Sequence, residues 1–197
     1  MNRFERGVKR VMDILGSVIA MVLLSPLFLF VYIALKCQSS GPVIFKQERI
    51  GYGGEPFTIF KFRTMKVEAE EAGVPQLAEV GDARLTPVGK FLREHHLDEL
   101  PQLWNVLVGD MSFVGPRPER QYFIDKIMKE DPRYVYIYKM RPGVTSEATL
   151  YNGYTDTMEK MLNRLQMDLH YLETRSLLVD FKIIFATFFN VFGGKKF

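Results

Sequence analysis

The chain has few of the residues that build disulfide, metal and nucleic-acid sites. It holds one cysteine, Cys37, and three histidines, so no intrachain disulfide can form and no Cys/His metal cluster can be assembled. A lone cysteine beside an apolar stretch fits a reducing, cytoplasmic setting. The formal charge is only +3 and Lys and Arg form no long run, which argues against a nucleic-acid surface and leaves the basic residues to be read by position. No internal repeat or low-complexity tract is present. With 197 residues and 47% apolar content, one core can be buried, so the expectation is one compact domain plus any membrane attachment.

What the chain does have is an apolar run. Ile14 to Leu35 carries no charged side chain and is flanked by Arg3, Arg6, Lys9 and Arg10 before it and Lys36 after it, the pattern of a bilayer segment. It is long for a signal-peptide core and leads into no small-x-small cleavage pattern. Ser25-Pro26 stands at its midpoint, where proline removes a backbone donor and forces a kink. Each half has about eleven residues, roughly 16 Å of helix against a ~30 Å hydrocarbon core. A re-entrant dip into one leaflet, with both ends on the cytoplasmic side, fits these lengths, and a kinked spanning helix is the alternative. Near the C-terminus, Phe181, Phe185, Phe188 and Phe192 recur at helical spacing while Asp180, Thr187 and Asn190 share another side. That pattern suits an interfacial helix as well as a buried amphipathic one.

Between these ends the reading is a helix-rich α/β body. Val43 to Ile50 and Phe57 to Phe62 are short β-rich runs around Gly51-Tyr52-Gly53-Gly54, a hairpin whose glycines serve the turn better than they would a phosphate. Lys66 to Gly81 reads as a polar excursion with solvated Glu68, Glu70, Glu71 and Glu79. Thr86-Pro87 starts a helix that runs to His95 and His96. Asp98 and Glu99 are expected to open a short helix with Leu100, Leu103, Trp104 and Leu107 on its apolar face and Pro101 in its first turn. Further helices are expected over 119–130 and 155–175. The chain divides into a basic N-terminus with the broken membrane helix, 1–36, and a cytoplasmic body, 37–197.

Asp98-Glu99 is the first choice for chemistry, since exposed N–H groups at a helix start favour carboxylates and phosphates. The plain alternative is an N-cap followed by an acid answering the dipole. Adjacent carboxylates on a helix diverge by about 100°, so they cannot face each other across a glycosidic bond. One of them can attack phosphorus while its neighbour holds a hard cation such as Mg²⁺. Phosphate chemistry also needs cations, and Lys61 and Arg63 in KFRTM, Arg93, and Arg117 between Pro116 and Pro118 are the candidates. His95 and His96 point in different directions and are given no role.

The segments FKQERIG, KFRTM, LDELPQLWNVLVGDMSFVGPRPE and RPGVT, behind a basic N-terminus and a helix broken at Ser-Pro, resemble the monotopic phosphoglycosyl transferases, or bacterial sugar transferases. The likeness covers nearly the whole chain and is that of the minimal form of the family. It implies that Asp98 attacks the β-phosphate of a UDP-sugar, expels UMP and forms a phosphosugar-aspartyl intermediate that polyprenol (undecaprenyl) phosphate intercepts. By the same resemblance Glu99 holds Mg²⁺, Arg93 neutralises phosphate charge, Arg117 helps bind the nucleotide, and Ser25-Pro26 breaks a re-entrant helix at the cytoplasmic face of the bacterial inner membrane. The product would be the first lipid-linked intermediate of a surface polysaccharide or glycoprotein glycan, and a homodimer is left open.

After RPGVT the sequence departs from the family pattern. A G-W-A-Q-x-N-G-R-like stretch is usual there, whereas Ser146 to Tyr154 reads SEATLYNGY, and the terminal arginine is missing. Arg141 is the nearest candidate to replace it. Two rival functions fit the same residues: a non-catalytic membrane adaptor whose carboxylates only cap helices, and a hydrolase that uses the same carboxylate but passes the intermediate to water.

Overall fold

The computed structural model describes residues 1–38, 40–66, 82–153 and 155–192. Most of the excursion expected over 66–81, including its four glutamates, lies outside the described residues, as does Tyr154. Two helices open the chain, α1 (Arg3–Leu23) and α2 (Ser25–Gln38), bent by 60° where they meet. Pro26 has no N–H to offer the carbonyl four residues back. That carbonyl belongs to Val22, and the Ser25 hydroxyl donates to it at 2.8 Å. The Ser-Pro pair therefore bends the helix and satisfies the group that the bend frees. Among the described residues no single helix is long and apolar enough to cross a membrane, and the α1–α2 pair reaches that length and composition only jointly.

The expected hairpin is present. β1 (Ile44–Ile50) pairs antiparallel with β2 (Pro56–Phe62) in the register Ile44↔Phe62 to Ile50↔Pro56. Gly53 and Gly54 turn the chain with φ of 74° and 81°, left-handed values that glycine adopts without strain. Alternation gives the ribbon two faces. Phe62 packs with Val31 and Leu35 of α2 and with Leu92, while Ile59 packs with Val106 and Met111. The hairpin thus ties the bent helix pair to the body.

Helix α3 (Pro87–Glu94) starts as expected, with the Thr86 hydroxyl accepting from the Gly89 N–H at 3.0 Å. It stops at Glu94, short of the expected His96, because His95 caps it and His96 is left-handed at φ 54°. The next expectation needs correction. Asp98 and Glu99 do not open an α-helix; they lie on a 3₁₀ turn, Leu97–Glu99, and α4 (Gln102–Val108) begins after Pro101. Pro101 supplies no N–H, so the chain passes it on i to i−3 bonds, Leu100 to Leu97 and Trp104 to Pro101, before α-helical bonding sets in. Asp98 is consequently no N-cap.

Helix α4 ends at Gly109, whose φ is 104°, and its last carbonyls are held from outside. The Arg10 guanidinium of α1 donates to Val106 O at 2.6 Å and Leu107 O at 2.8 Å, a cation at a helix C-terminus. A second, unforeseen sheet follows: β3 (Ser112–Val114) runs parallel to β4 (Gly143–Thr145). Just beyond β3, Gly115 lies so close to Gly143 that a Cβ on Gly143 would stand 2.1 Å from Gly115 N.

The main core gathers Val114 with Phe123 and Ile124 of α5 (Gln121–Glu130) and Tyr134 and Ile137 of the 3₁₀ run Pro132–Lys139. Met161, Leu165 and Tyr171 of α7 (Met158–Thr174) and Ile183 of α8 (Leu177–Phe192) complete it, and a short α6 (Glu147–Tyr151) lies between β4 and α7. Helix α8 turns its polar side inward: Asp180 pairs with Lys9 and accepts from the Tyr171 hydroxyl, and Thr187 bonds Thr145 at 2.7 Å. Its Phe181, Phe185, Phe188 and Phe189 are exposed, as are Leu15, Val18, Ile19 and Val22 of α1 and Leu29, Phe30 and Ile33 of α2. Exposed apolar faces of this extent mark an interaction surface.

Candidate active site

Five separate segments meet at one pocket of about 100 Å³, into which Lys61, Arg93, Asp98, Glu99, Arg117 and Arg164 project. Lys61 is there by strand parity, sharing the face of β2 that carries Ile59. The strand is fixed to α4 by Asn105, a fully buried amide that accepts from Phe60 N at 3.2 Å and donates to Thr58 O at 2.7 Å, in the manner of a third strand. Arg93 is there because α3 packs against the chain that leaves β2. A Cβ on Gly89 would stand 1.9 Å from Thr64 O, so only glycine permits the approach. Arg117 comes from a loop tethered on both sides, where Gly143 N donates to Pro116 O at 2.9 Å and Arg49 to Pro118 O at 3.0 Å.

Lys61 Nζ stands 2.6 Å from Glu99 Oε1, and Arg117 reaches the same oxygen at 3.4 Å. Burial alone would raise the Glu99 carboxyl, but these two cations hold it well below the usual carboxylate range. Asp98, 6% exposed, goes the other way: burial pushes it up to about 6, with Lys61 opposing and the Glu99 charge assisting. Burial also lowers Lys61, against the pull of Glu99. Two adjacent carboxyls are thus driven apart, one a permanent anion and the other titrating near neutrality, the separation that assigns different roles to chemically equal groups.

Two cations in the pocket retain unused donors. Arg93 Nη1 and Arg164 Nε are buried without a hydrogen-bond partner among the described residues. Arg164 is otherwise held by Glu119 Oε1 at 3.0 Å, and Arg49 donates to the other oxygen of Glu119 at 3.3 Å. Four cations against two carboxylates, with donors left open, make a site for a multiply charged anion such as a diphosphate.

The structure brings Asp98, Glu99, Lys61, Arg93 and Arg117 together, with Pro116 and Pro118 holding the last. It does not bring Arg63, whose guanidinium donates to Ser40 O at 2.9 Å in a buried position away from the pocket lining. Nor does it bring Arg141, which donates to Gly109 O at 2.8 Å, lies over the Tyr52 ring and lines a different cavity. Arg141 therefore does not stand in for the missing loop arginine. The divergent loop itself lines the pocket through Thr149 and Gly153. Sequence reading missed Arg164; its signal was its i, i+4 spacing from Asp168 on the inward face of α7, where both are buried.

As for a metal, no three His, Cys, Asp or Glu side chains come together among the described residues. Lys61 and Arg117 both take Oε1 of Glu99, which leaves its second oxygen for a ligand role. One or two carboxylates completed by water and phosphate oxygens is the donor set Mg²⁺ accepts, so the residues fit it.

A family profile described as bacterial sugar transferase matches residues 4–194. The chain belongs to that family. It is 43% identical over 187 residues to an Aeromonas hydrophila UDP-N-acetylgalactosamine-undecaprenyl-phosphate N-acetylgalactosaminephosphotransferase, covering 95% of this chain and 44% of the relative. A Klebsiella pneumoniae UDP-glucose:undecaprenyl-phosphate glucose-1-phosphate transferase is 43% identical over 198 residues, covering 100% of this chain and 42% of the relative. A Caulobacter vibrioides protein of the same description is 44% identical over 181 residues, covering 91% and 67%. This sugar transferase chain thus spans about two-fifths of the first two relatives' length.

Proposed function

We propose that this chain transfers a sugar 1-phosphate from a UDP-sugar to a polyprenol phosphate. In the first half-reaction an Asp98 carboxylate oxygen attacks the β-phosphorus, the bond from that phosphorus to the bridging oxygen breaks, and UMP leaves with the bonding pair. Asp98 then carries the sugar phosphate as an acyl phosphate. In the second, a phosphate oxygen of the polyprenol phosphate attacks the same phosphorus and displaces the carboxylate, giving a polyprenyl-diphospho-sugar and restoring Asp98. Lys61 and Arg117 keep Glu99 ionised, and Arg93 and Arg164 offer their open donors to the diphosphate as charge moves onto the leaving group. Mg²⁺, with Glu99 as its protein ligand, would supply further neutralisation of phosphate charge when bound.

The observation that carries this reading is the meeting of Asp98 and Glu99 with Lys61, Arg93, Arg117 and Arg164 in one pocket, where Arg93 and Arg164 keep buried donors without a partner among the described residues. A buried aspartate that titrates near neutrality beside a permanently ionised glutamate, among cations with unused donors, is arranged for nucleophilic attack on a phosphate. Family membership and the relatives' names support the same reaction class. A non-catalytic adaptor has no use for such a cluster, whose burial costs stability. The exposed apolar faces of α1, α2 and α8, and the bend at Ser25-Pro26, support a re-entrant attachment to one leaflet at the cytoplasmic face of the inner membrane. An apolar acceptor would reach Asp98 from that leaflet.

Intact-mass measurement tests the first half-reaction. Protein incubated with a UDP-sugar and Mg²⁺ but no lipid should gain the mass of one sugar phosphate, lost again on adding undecaprenyl phosphate; the Asp98→Asn protein should gain none. An Asp98→Asn protein that still releases UMP at the normal rate overturns the assignment. An adduct cleared by water as fast as by lipid would indicate a hydrolase.

A further inference from the structure

A second cavity, of about 520 Å³, opens at the N-terminal end of α1 and shares no lining residue with the Asp98 pocket. Its walls are basic, with Arg3, Arg6, Lys139 and Arg175 among them, and Asp13 is its one carboxylate among the described residues. Asp13 is already committed, accepting from Ser112 Oγ at 3.1 Å and Phe113 N at 3.0 Å. The side chains of Arg3, Arg6 and Arg175 make no hydrogen bond or ion pair with the described residues, unlike those of Lys9, Arg10 and Arg141, which are held by Asp180, α4 and Gly109. Unpaired cations converging on a concave surface raise the local potential for anions.

Beside this cavity, and sharing Lys9, Asp13 and Val114 with it, runs an apolar groove of about 280 Å³ between α1 and α8. Met12, Gly16, Phe113, Leu177, Phe181 and Ile184 line it. From Arg6 to Gly16 the lining changes from cationic to apolar over roughly 15 Å of helix, about the depth of one leaflet. The two spaces together have the polarity of a single lipid molecule, with a head that wants cations and a chain that wants hydrocarbon.

We propose that the cavity and groove hold one anionic phospholipid of the bilayer, its phosphate among Arg3, Arg6 and Arg175 and an acyl chain between α1 and α8. Charge complementarity selects an anionic head over a zwitterionic one, and the polar-to-apolar gradient selects a lipid over a free phosphate. The lipid stands apart from the reacting groups, so it is a bound neighbour and not the acceptor. Lys9, which bridges Asp180 of α8 and the Val114 carbonyl, lines both spaces, so occupancy would brace the junction of the membrane helix with the catalytic body. This proposal rests on the membrane attachment proposed above.

Native mass spectrometry of the full chain in detergent, supplied with phosphatidylglycerol or phosphatidylcholine, tests it. One phosphatidylglycerol should be retained at least tenfold more tightly than phosphatidylcholine. Arg6→Gln/Arg175→Gln should abolish that preference, and Ile184→Trp, which fills the groove, should weaken retention of either lipid at least fivefold. UMP release by the same protein reports that each variant is folded. Equal retention of the two lipids by the wild type, or undiminished preference in the double variant, overturns the proposal. So does inorganic phosphate that displaces the lipid at equal concentration, which would make this a plain anion site. Failure of the attachment itself would look different: the wild-type chain would not sediment with vesicles of either composition.

Discussion

Lys61 on β2 and Glu99 on the 3₁₀ turn, 38 residues apart in sequence, meet at 2.6 Å. This contact bears on both carboxyls of the pocket, since Lys61 stabilises each in its charged form and is the leading opponent of burial at each. Lys61→Met should leave Glu99 buried with only the longer Arg117 contact. Removing one partner of a buried pair costs about 3–5 kcal/mol, to be read as a lowered denaturant midpoint. The acid limb of the rate of UMP release should also move to higher pH, because Asp98 loses the cation that favours its charged form. An unmoved limb would mean that Lys61 does not govern Asp98.

Asp98 sets a second expectation, in which function and stability oppose each other. Its pKa is raised from 3.8 to about 6 by burial, so the folded protein binds a proton there more tightly than the unfolded chain does. The associated stability is full below pH 3.8 and is lost as pH rises through about 6. Above that, the ionised buried carboxylate costs on the order of 2–3 kcal/mol at 1.36 kcal/mol per pK unit. Asp98→Asn should therefore melt several degrees higher than wild type at pH 7.5, with no such gain at pH 4, while losing UMP release. In the wild type, release should rise with pH along a limb centred near 6.

The sequence displayed the parts of this site more readily than their arrangement. Lys61, Arg93, Asp98, Glu99 and Arg117 were each identifiable, and so was the break at Ser25-Pro26, because proline chemistry, strand alternation and motif order are local. Pro101 was read as a tolerated first-turn residue, yet it delays the α-helix and sets Asp98 on a 3₁₀ turn. Arg63 and Arg141 looked as available as Arg93; tertiary carbonyls at Ser40 and Gly109 take them instead. The β3–β4 pair was missed because three-residue strands joined across 28 intervening residues leave no periodic trace. Arg164 escaped because its partner Glu119 lies 45 residues away.

Gly89 offers a test of how the cations are delivered. A methyl group there would stand 1.9 Å from the Thr64 carbonyl oxygen, a backbone atom that cannot rotate away. Gly89→Ala should push α3 off the strand exit and carry Arg93 from the pocket. The expected result is a loss of more than tenfold in UMP release together with a lower melting temperature. Lys90→Ala, at an exposed site on the same helix, should change neither and serves as the control.

Arg93 Nη1 and Arg164 Nε are buried without a hydrogen-bond partner among the described residues, so each arginine should cost the free protein stability and return it on binding. A charged donor left unsatisfied costs about 1–3 kcal/mol or more, and a hydrogen bond between charged groups contributes about 1.5–3 kcal/mol. Arg93→Gln should leave the ligand-free protein as stable as wild type or more so, yet weaken UDP-sugar binding by about 10- to 150-fold at 1.4 kcal/mol per decade. Thermal shift separates the two effects: the wild type should gain several degrees on saturation with UMP or a UDP-sugar, and Arg93→Gln little. Arg164→Gln should behave differently, because that residue also pairs with Glu119 at 3.0 Å and opposes the burial that pushes Asp168 up to about 7. Its loss should lower stability in the free protein as well, so the sign of the ligand-free melting change tells an anion-binding arginine from one that also holds the core.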